Sequence, residues 1–369
     1  MNGVYIHIPF CKSKCPYCDF YSYRCNASQK ENYVNAIIDE ITTNRRASKF
    51  FKKPFIADTL YLGGGTPSVL TGEQLYRIID TAKKEYHLPS DAEITVECNP
   101  GSDIESLIPH FKKAGVNRVS LGMQSSVTEE RRQLGRTTDK ERVLQVINLL
   151  KENGITNVSL DIMLGIPLQT KDSLKETLEF AVECNVTHIS AYILKIEEGT
   201  FFHKNKDKYI FPDETDVCDL YYQCCEFLEN AGYSHYEISN FALHGFESRH
   251  NTKYWELENY LGIGAAAHSY IDRNRFYFES DSEAFINGAK AVFDGEGGDY
   301  EEYIMLRLRL KSGLSLSELT NRYGEKHTRK IIKKAPLLKE QGFVNFDGEN
   351  LSLTNKGFLL SNCIIAELI

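Results

Sequence analysis

Val4-Tyr5-Ile6-His7-Ile8 runs directly into Pro9-Phe10-Cys11-Lys12-Ser13-Lys14-Cys15-Pro16-Tyr17-Cys18-Asp19-Phe20. The first run reads as a buried strand, and the second as a loop whose cysteines are spaced Cys-x3-Cys-x2-Cys. Three thiolates on one short loop can hold three corners of a cubane [4Fe–4S] cluster, whereas a structural zinc site takes four ligands. No further Cys or His follows at zinc-like spacing, and Cys25 is the nearest candidate. A cluster held at three corners keeps one iron open for a small molecule. Cys25, Cys98, Cys184, Cys218, Cys224, Cys225 and Cys363 follow no ligand spacing and read as small buried hydrophobes.

Outward from that loop, short β-rich runs alternate with helical patterns. The strands expected are Val4–Ile8, Thr59–Leu62, Ile94–Val96, Arg118–Leu121, Val158–Met163 and His188–Ile193. Between them lie Asn32–Thr43, Glu73–Glu85, Ile104–Ala114, Lys140–Asn153 and Ser173–Cys184 at helical period. Thr71 with Gln74 and Thr138 with Glu141 have capping-box spacing, and Gly115 and Gly154 stand where helices should close. Such alternation builds βαβ units on a parallel sheet. Six units are too few for an eight-stranded barrel. The expected fold is therefore α/β, an open partial (β/α)6 barrel, with a doubly wound sheet as the alternative.

The rhythm changes beyond Leu194. Asp213–Ala231 reads as a long helix. From about Tyr300 three helical patterns precede Phe343–Phe346, an Asp347-Gly348 turn and Leu351–Leu353, the outline of a small α+β, winged-helix-like module. The expected division is a barrel over 1–230, a linker or extension over 231–295 and a C-terminal domain over 296–369. Lys330, Lys333 and Lys334 invite a DNA-binding reading, but they are interleaved with Ile331, Ile332, Leu337 and Leu338, which read as a core face. A net charge of −8 also argues against a nucleic-acid partner, so a lid or protein-docking module is expected. Hydrophobic residues at 42% and charged residues at 25% suit a core that needs no disulfides. There is no signal-peptide pattern and no apolar stretch of bilayer length, so a cytoplasmic protein is expected.

On such barrels active sites lie at the carboxyl ends of the strands. Gly63-Gly64-Gly65-Thr66-Pro67 follows the second strand, Glu97 ends the third, Gln124 follows the fourth, Arg136 sits in Leu134-Gly135-Arg136, and Asp161 lies inside the fifth. Charged side chains within apolar strands are costly unless paired or liganded. Taken together they favour a ligand site beside the cysteine loop.

Cys-x3-Cys-x-aromatic-Cys after the first strand of a βα barrel resembles the signature of the radical-SAM superfamily. Tyr5–Phe10, Gly63–Pro67, Gly122–Ser125 and Leu164-Gly165-Ile166-Pro167 are similar to its HemN/HemW branch over nearly the whole chain. The resemblance implies that Cys11, Cys15 and Cys18 hold the cluster. It implies that Tyr5, Tyr17, Gly64, Gly65, Thr66, Glu97, Gln124, Arg136 and Asp161 contact S-adenosylmethionine chelated to the open iron, whose cleavage yields a 5′-deoxyadenosyl radical. Oxidases of the branch decarboxylate coproporphyrinogen III and carry a second cysteine just past the cluster loop, where Asp19 and Phe20 stand here. They also carry an extension ahead of the first strand. The likeness is therefore to the haem chaperones of the branch, which hold haem and pass it to haem-dependent acceptors such as respiratory enzymes. Oxidase activity is not expected, and the rival reading is a radical decarboxylase of coproporphyrinogen III or another tetrapyrrole. The resemblance leaves room for a homodimer and for peripheral membrane contact during delivery.

The same resemblance links His250-Asn251-Thr252-Lys253-Tyr254-Trp255 to haem, with His250 as iron ligand and Asn251, Tyr254 and Trp255 beside it. By residue type alone this stretch reads more readily as a hydrogen-bonded buried histidine next to a packed tryptophan. His235 and His268 are further candidate ligands. His7 is expected to orient the cysteine loop through a hydrogen bond.

Overall fold

The computed structural model describes residues 1–52 and 54–369. Six parallel strands pair in chain order: β1 (Asn2–Ile8), β2 (Ala57–Gly64), β3 (Glu93–Cys98), β4 (Arg118–Gln124), β5 (Asn157–Leu164) and β6 (His188–Ile193). Helices Ala27–Thr43, Gly72–Glu85, Ile104–Ala114, Lys140–Glu152 and Lys171–Glu183 connect them. This is the open partial (β/α)6 barrel expected from the alternation.

The strands are two-faced, because successive side chains point to opposite sides of a sheet. One set is apolar and fully buried: Val4, Ile6 and Ile8 on β1, Leu60 and Leu62 on β2, Val119 and Leu121 on β4, Leu160 and Ile162 on β5. The alternate set is polar: Thr59, Tyr61, Thr95, Glu97, Ser120, Ser159, Asp161, His188 and Ser190. Parallel strands covered on both faces usually read as unbroken apolar runs. These alternate because the inner face lines a cavity.

The segment beyond the barrel helices extends both edges of the sheet. β7 (Ser234–Glu237) and β8 (Asn240–Ala242) add antiparallel strands beyond β6. β9 (Tyr260–Ile263) lies parallel to β1, and β10 (His268–Ile271), β11 (Asn274–Tyr277) and β12 (Val292–Glu296) continue outward, giving a twelve-stranded sheet among the described residues.

Between these additions, the helix Arg249–Trp255 closes the amino-end floor of the barrel. Its first amides, on Arg249 and His250, donate to the Glu93 carboxylate at 3.0 and 2.9 Å. A carboxylate on a helix amino terminus satisfies orphan N–H groups and complements the helix dipole. Lys253 ties the same helix to Asp58 at 3.0 Å and to the Met1 carbonyl at 2.9 Å.

The C-terminal module has helices Tyr300–Arg307, Leu316–Tyr323 and Glu325–Glu340 and a sheet ordered β13 (Leu314–Ser315), β15 (Asn350–Leu353), β14 (Val344–Phe346). Two further helices, Asn355–Leu359 and Ser361–Leu368, end the chain. Backbone bonds from Lys311 N to Tyr236 O at 2.9 Å and from Ile238 N to Arg309 O at 2.9 Å fasten the module to the β7 edge. Two details depart from expectation. Asp139, not Thr138, caps its helix, accepting from Arg142 N at 2.8 Å, and Thr138 faces the cavity instead. Ile331 and Leu338 are buried while Ile332 and Leu337 stand exposed. Neighbouring residues on a helix are about 100° apart, so all four cannot share one face.

Glu93→Ala should lower stability by about 2–3 kcal/mol, because two buried amides lose a charged acceptor. The measurement is urea unfolding, with hydrogen exchange faster at Arg249 and His250 than at the helices outside the barrel.

Candidate functional site

The cysteine loop is laced to its neighbours through main chain. Cys11 N donates to Tyr23 O at 3.0 Å, Tyr23 N to Pro9 O at 2.9 Å, Thr66 N to Phe10 O at 2.9 Å and Phe202 N to Pro16 O at 2.9 Å. His7, buried on β1, joins the Tyr21 carbonyl at 3.1 Å and the Tyr5 hydroxyl at 2.9 Å, the loop-orienting role expected of it. Cys11, Cys15 and Cys18 are free thiols facing one cavity of about 640 Å³. Cys11 Sγ also lies 3.4 Å from Thr66 Oγ1. Among the described residues no three Cys, His, Asp or Glu side chains gather as a single-ion site requires. In a cubane each thiolate takes its own iron, so the thiols need only share a space. Burial raises the Cys18 thiol above its ordinary range, and coordination would have to displace that proton.

Gly64, Gly65 and Thr66 border the same cavity. Gly64 has φ +109°, and a Cβ on Gly65 would stand 2.8 Å from the Phe10 carbonyl oxygen, so this turn has room for backbone alone. Glu97 accepts from Tyr61 OH at 2.7 Å and from Gly64 N at 3.1 Å. Burial is the main influence on its carboxyl, which is pushed up to about 7. Asp161 accepts from Ser120 Oγ at 3.0 Å, and burial raises it too. Gln124 sits after a bulge in β4 with φ +78°, a backbone few side chains adopt, which re-aims it at the cavity. Arg136 donates to Tyr17 OH at 2.9 Å, and its Nε is buried without a partner.

The cavity thus gathers the expected cysteines with Tyr17, Gly64, Gly65, Thr66, Glu97, Gln124, Arg136 and Asp161. Tyr5 is not among its lining residues; its ring lies against Tyr61 and its hydroxyl serves His7. Arg118, Tyr61, Ser190 and Tyr192 line the cavity unannounced. The period-two rule could have found them, since each shares strand parity with a residue already singled out on its own or a neighbouring strand.

Residues 5–181 match the Radical SAM superfamily and residues 299–360 the HemN C-terminal domain. The haem chaperone HemW of Lactococcus lactis is 31% identical, the match covering 100% of this chain and 97% of that one. HemW of Bacillus subtilis is 32% identical over 98% of this chain and 97% of its own. The chain belongs to the HemW family of radical-SAM proteins. The structure of HemN, the coproporphyrinogen III oxidase of Escherichia coli, superposes with a TM-score of 0.84 at 24% identity, over 99% of this chain and 89% of that one. That likeness establishes the fold alone.

Within this HemW-family chain the His250–Trp255 segment is the floor helix. His250 is 1% exposed. Its Nδ1 lies 2.8 Å from Thr59 Oγ1, its Nε2 lies 2.8 Å from Tyr254 OH, and its ring stacks on Tyr61. Burial lowers its pKa to about 3, so it is neutral and both nitrogens are occupied. Iron ligation by His250 does not fit this arrangement. Of the four expected haem contacts only Asn251 reaches the cavity. His235 is buried against Phe241 and Phe358, and His268 is exposed, stacked on Tyr277.

The raised Glu97 carboxyl makes folding take up a proton between its unfolded value near 4.5 and about 7. Stability from this group therefore falls as pH rises through that window, by roughly 3–4 kcal/mol in all. Glu237, also near 7, acts in the same direction, and neutral His250 in the opposite one. The clean measurement is the difference between wild-type and Glu97→Gln stability profiles from pH 4.5 to 7.5. It should show the mutant gaining on the wild type as pH rises.

Proposed function

We propose that this chain is a haem chaperone that carries a [4Fe–4S] cluster and S-adenosylmethionine in the barrel and hands haem to haem-dependent acceptor proteins. The observation that carries the cofactor part is the convergence of three free thiols, a side-chain-free glycine turn and four polar residues on one cavity at the strand carboxyl ends. The haem part is supported by the name shared by full-length relatives.

Cys11, Cys15 and Cys18 would hold the cluster, on a loop whose main chain is already fixed by neighbours. The Gly64–Gly65 backbone and Glu97 would receive the amino end of S-adenosylmethionine. Arg136, with an unpartnered Nε, would receive its carboxylate. Gln124 and Asp161 would border the remainder. When bound, the reduced cluster supplies an electron and an open iron to the sulfonium compound. Tyr17 orders Arg136, and Tyr61 and Ser120 keep the two carboxylates oriented. With Asp19 and the 62%-exposed Phe20 standing past the loop, oxidase chemistry on coproporphyrinogen III is not part of this reading.

Anaerobic reconstitution with iron and sulfide tests it. Alanine at Cys11, Cys15 or Cys18 should abolish the brown cluster absorbance, while Cys25→Ala keeps it. S-adenosylmethionine should alter the EPR spectrum of the reduced cluster, and coproporphyrinogen III should be returned unchanged. Stoichiometric zinc with no reconstitutable cluster would sink the cofactor part, and absence of haem binding by the loaded protein would sink the chaperone part. Folded His250→Ala should lose about 2–4 kcal/mol of stability and keep its haem Soret band and affinity.

A further inference from the structure

Arg118 opens β4 two residues before Ser120 and shares its inward face. It is 2% exposed, and its Nε is buried without a partner. Among the described residues its side chain makes no hydrogen bond and no ion pair; Glu93 and Asp161 act on it only at a distance. Their oxygens are engaged elsewhere, those of Glu93 by the Arg249 and His250 amides and those of Asp161 by Ser120. A guanidinium has five N–H donors and keeps its proton, so leaving it buried and unpaired is costly. Arg118 is not sealed in apolar packing either. It borders the cavity that reaches from the cysteine loop to Asn251 on the floor helix.

We propose that the part of this cavity at the level of Arg118, one same-face step toward the strand amino ends from Glu97 and Ser120, is a lower chamber that seats a small alkyl carboxylate, gripped fork to fork by Arg118 beneath the S-adenosylmethionine site. S-adenosylmethionine has a single carboxylate, for which Arg136 and the open iron already account, so Arg118 still lacks an anion once that ligand is placed. A guanidinium fork matches a carboxylate in two parallel hydrogen bonds. Glu97 and Asp161 in the wall above penalise a multiply charged anion such as phosphate more than a monoanion. The rings of Tyr61 and Tyr192 offer apolar surface to a short alkyl chain. The seat goes beyond the functional reading above and depends on it only for where S-adenosylmethionine lies.

The test is calorimetric titration of propionate into cluster-loaded protein, with and without S-adenosylmethionine. Saturable binding that survives S-adenosylmethionine is expected, weakened on the order of 30-fold or more in Arg118→Gln, the scale of losing one partner of a buried charge pair. Arg118→Lys keeps the charge without the fork and should also weaken it. If the Arg118 variants do not fold, Asn251→Asp tests the same chamber by adding a negative charge, and it too should weaken propionate. Haem that displaces propionate would identify the carboxylate as a haem propionate; independent binding would identify a separate small acid. Absence of saturable binding, unchanged affinity in Arg118→Gln, equal binding of chloride, or displacement by S-adenosylmethionine would each overturn the seat. Loss of haem or S-adenosylmethionine binding with propionate binding intact would instead strike the functional reading alone.

Discussion

A barrel with a polar inner face has to satisfy that face from within, since buried polar groups without partners are expensive. The pairing here runs across strands. Tyr61 and Gly64 of β2 hold Glu97 of β3, Ser120 of β4 holds Asp161 of β5, and Ser159 of β5 meets His188 of β6 at 2.7 Å. His188 in turn reaches Tyr236 at 2.9 Å. The outer face of the same strands is uniformly apolar under its helices. A one-residue slip in register would put apolar side chains in the cavity and carboxylates under the helices, so the alternation fixes the register as well as the chemistry.

The two ends of the barrel divide the work. At the amino end the floor helix gives up its first amides to Glu93 and fills the space above Gly3, where a Cβ would stand 3.2 Å from the His250 ring. At the carboxyl end, main chain turns outward at Gly64–Gly65, at the bulge before Gln124 and through the cysteine loop. That end keeps thiols, an unpartnered Arg136 nitrogen and a Glu97 carboxyl poised near neutrality.

Much of this was legible in the sequence. The six strands and five connecting helices follow from strand–helix alternation, and the thiols from their spacing. The rim residues Glu97, Gln124 and Asp161 were visible as polar intrusions at strand ends. Arg118 escaped because it begins its strand, where a charge reads as a boundary. Only the parity it shares with Ser120 betrays it. The edge strands after Ser234 escaped because most are four residues or fewer among glycines and aromatics, too short for a period to emerge. The floor helix escaped for a related reason: seven residues give two turns, and its support comes from Glu93 across the fold.

His250 marks where residue type and likeness part from geometry. A histidine beside tyrosine and tryptophan suits haem in composition, yet composition says nothing of which end of a barrel the group occupies. A neutral imidazole has one donor and one acceptor. Thr59 and Tyr254 are hydroxyls able to serve either role, so both tautomers are satisfied at 2.8 Å on each side. Bringing iron to either nitrogen would break one of these bonds inside a closed floor and strand a hydroxyl there. The cavity, by contrast, meets this segment at Asn251 alone. The imidazole is thus a structural tie between β2 and the floor helix, and Asn251 is the residue of this segment that faces the cavity.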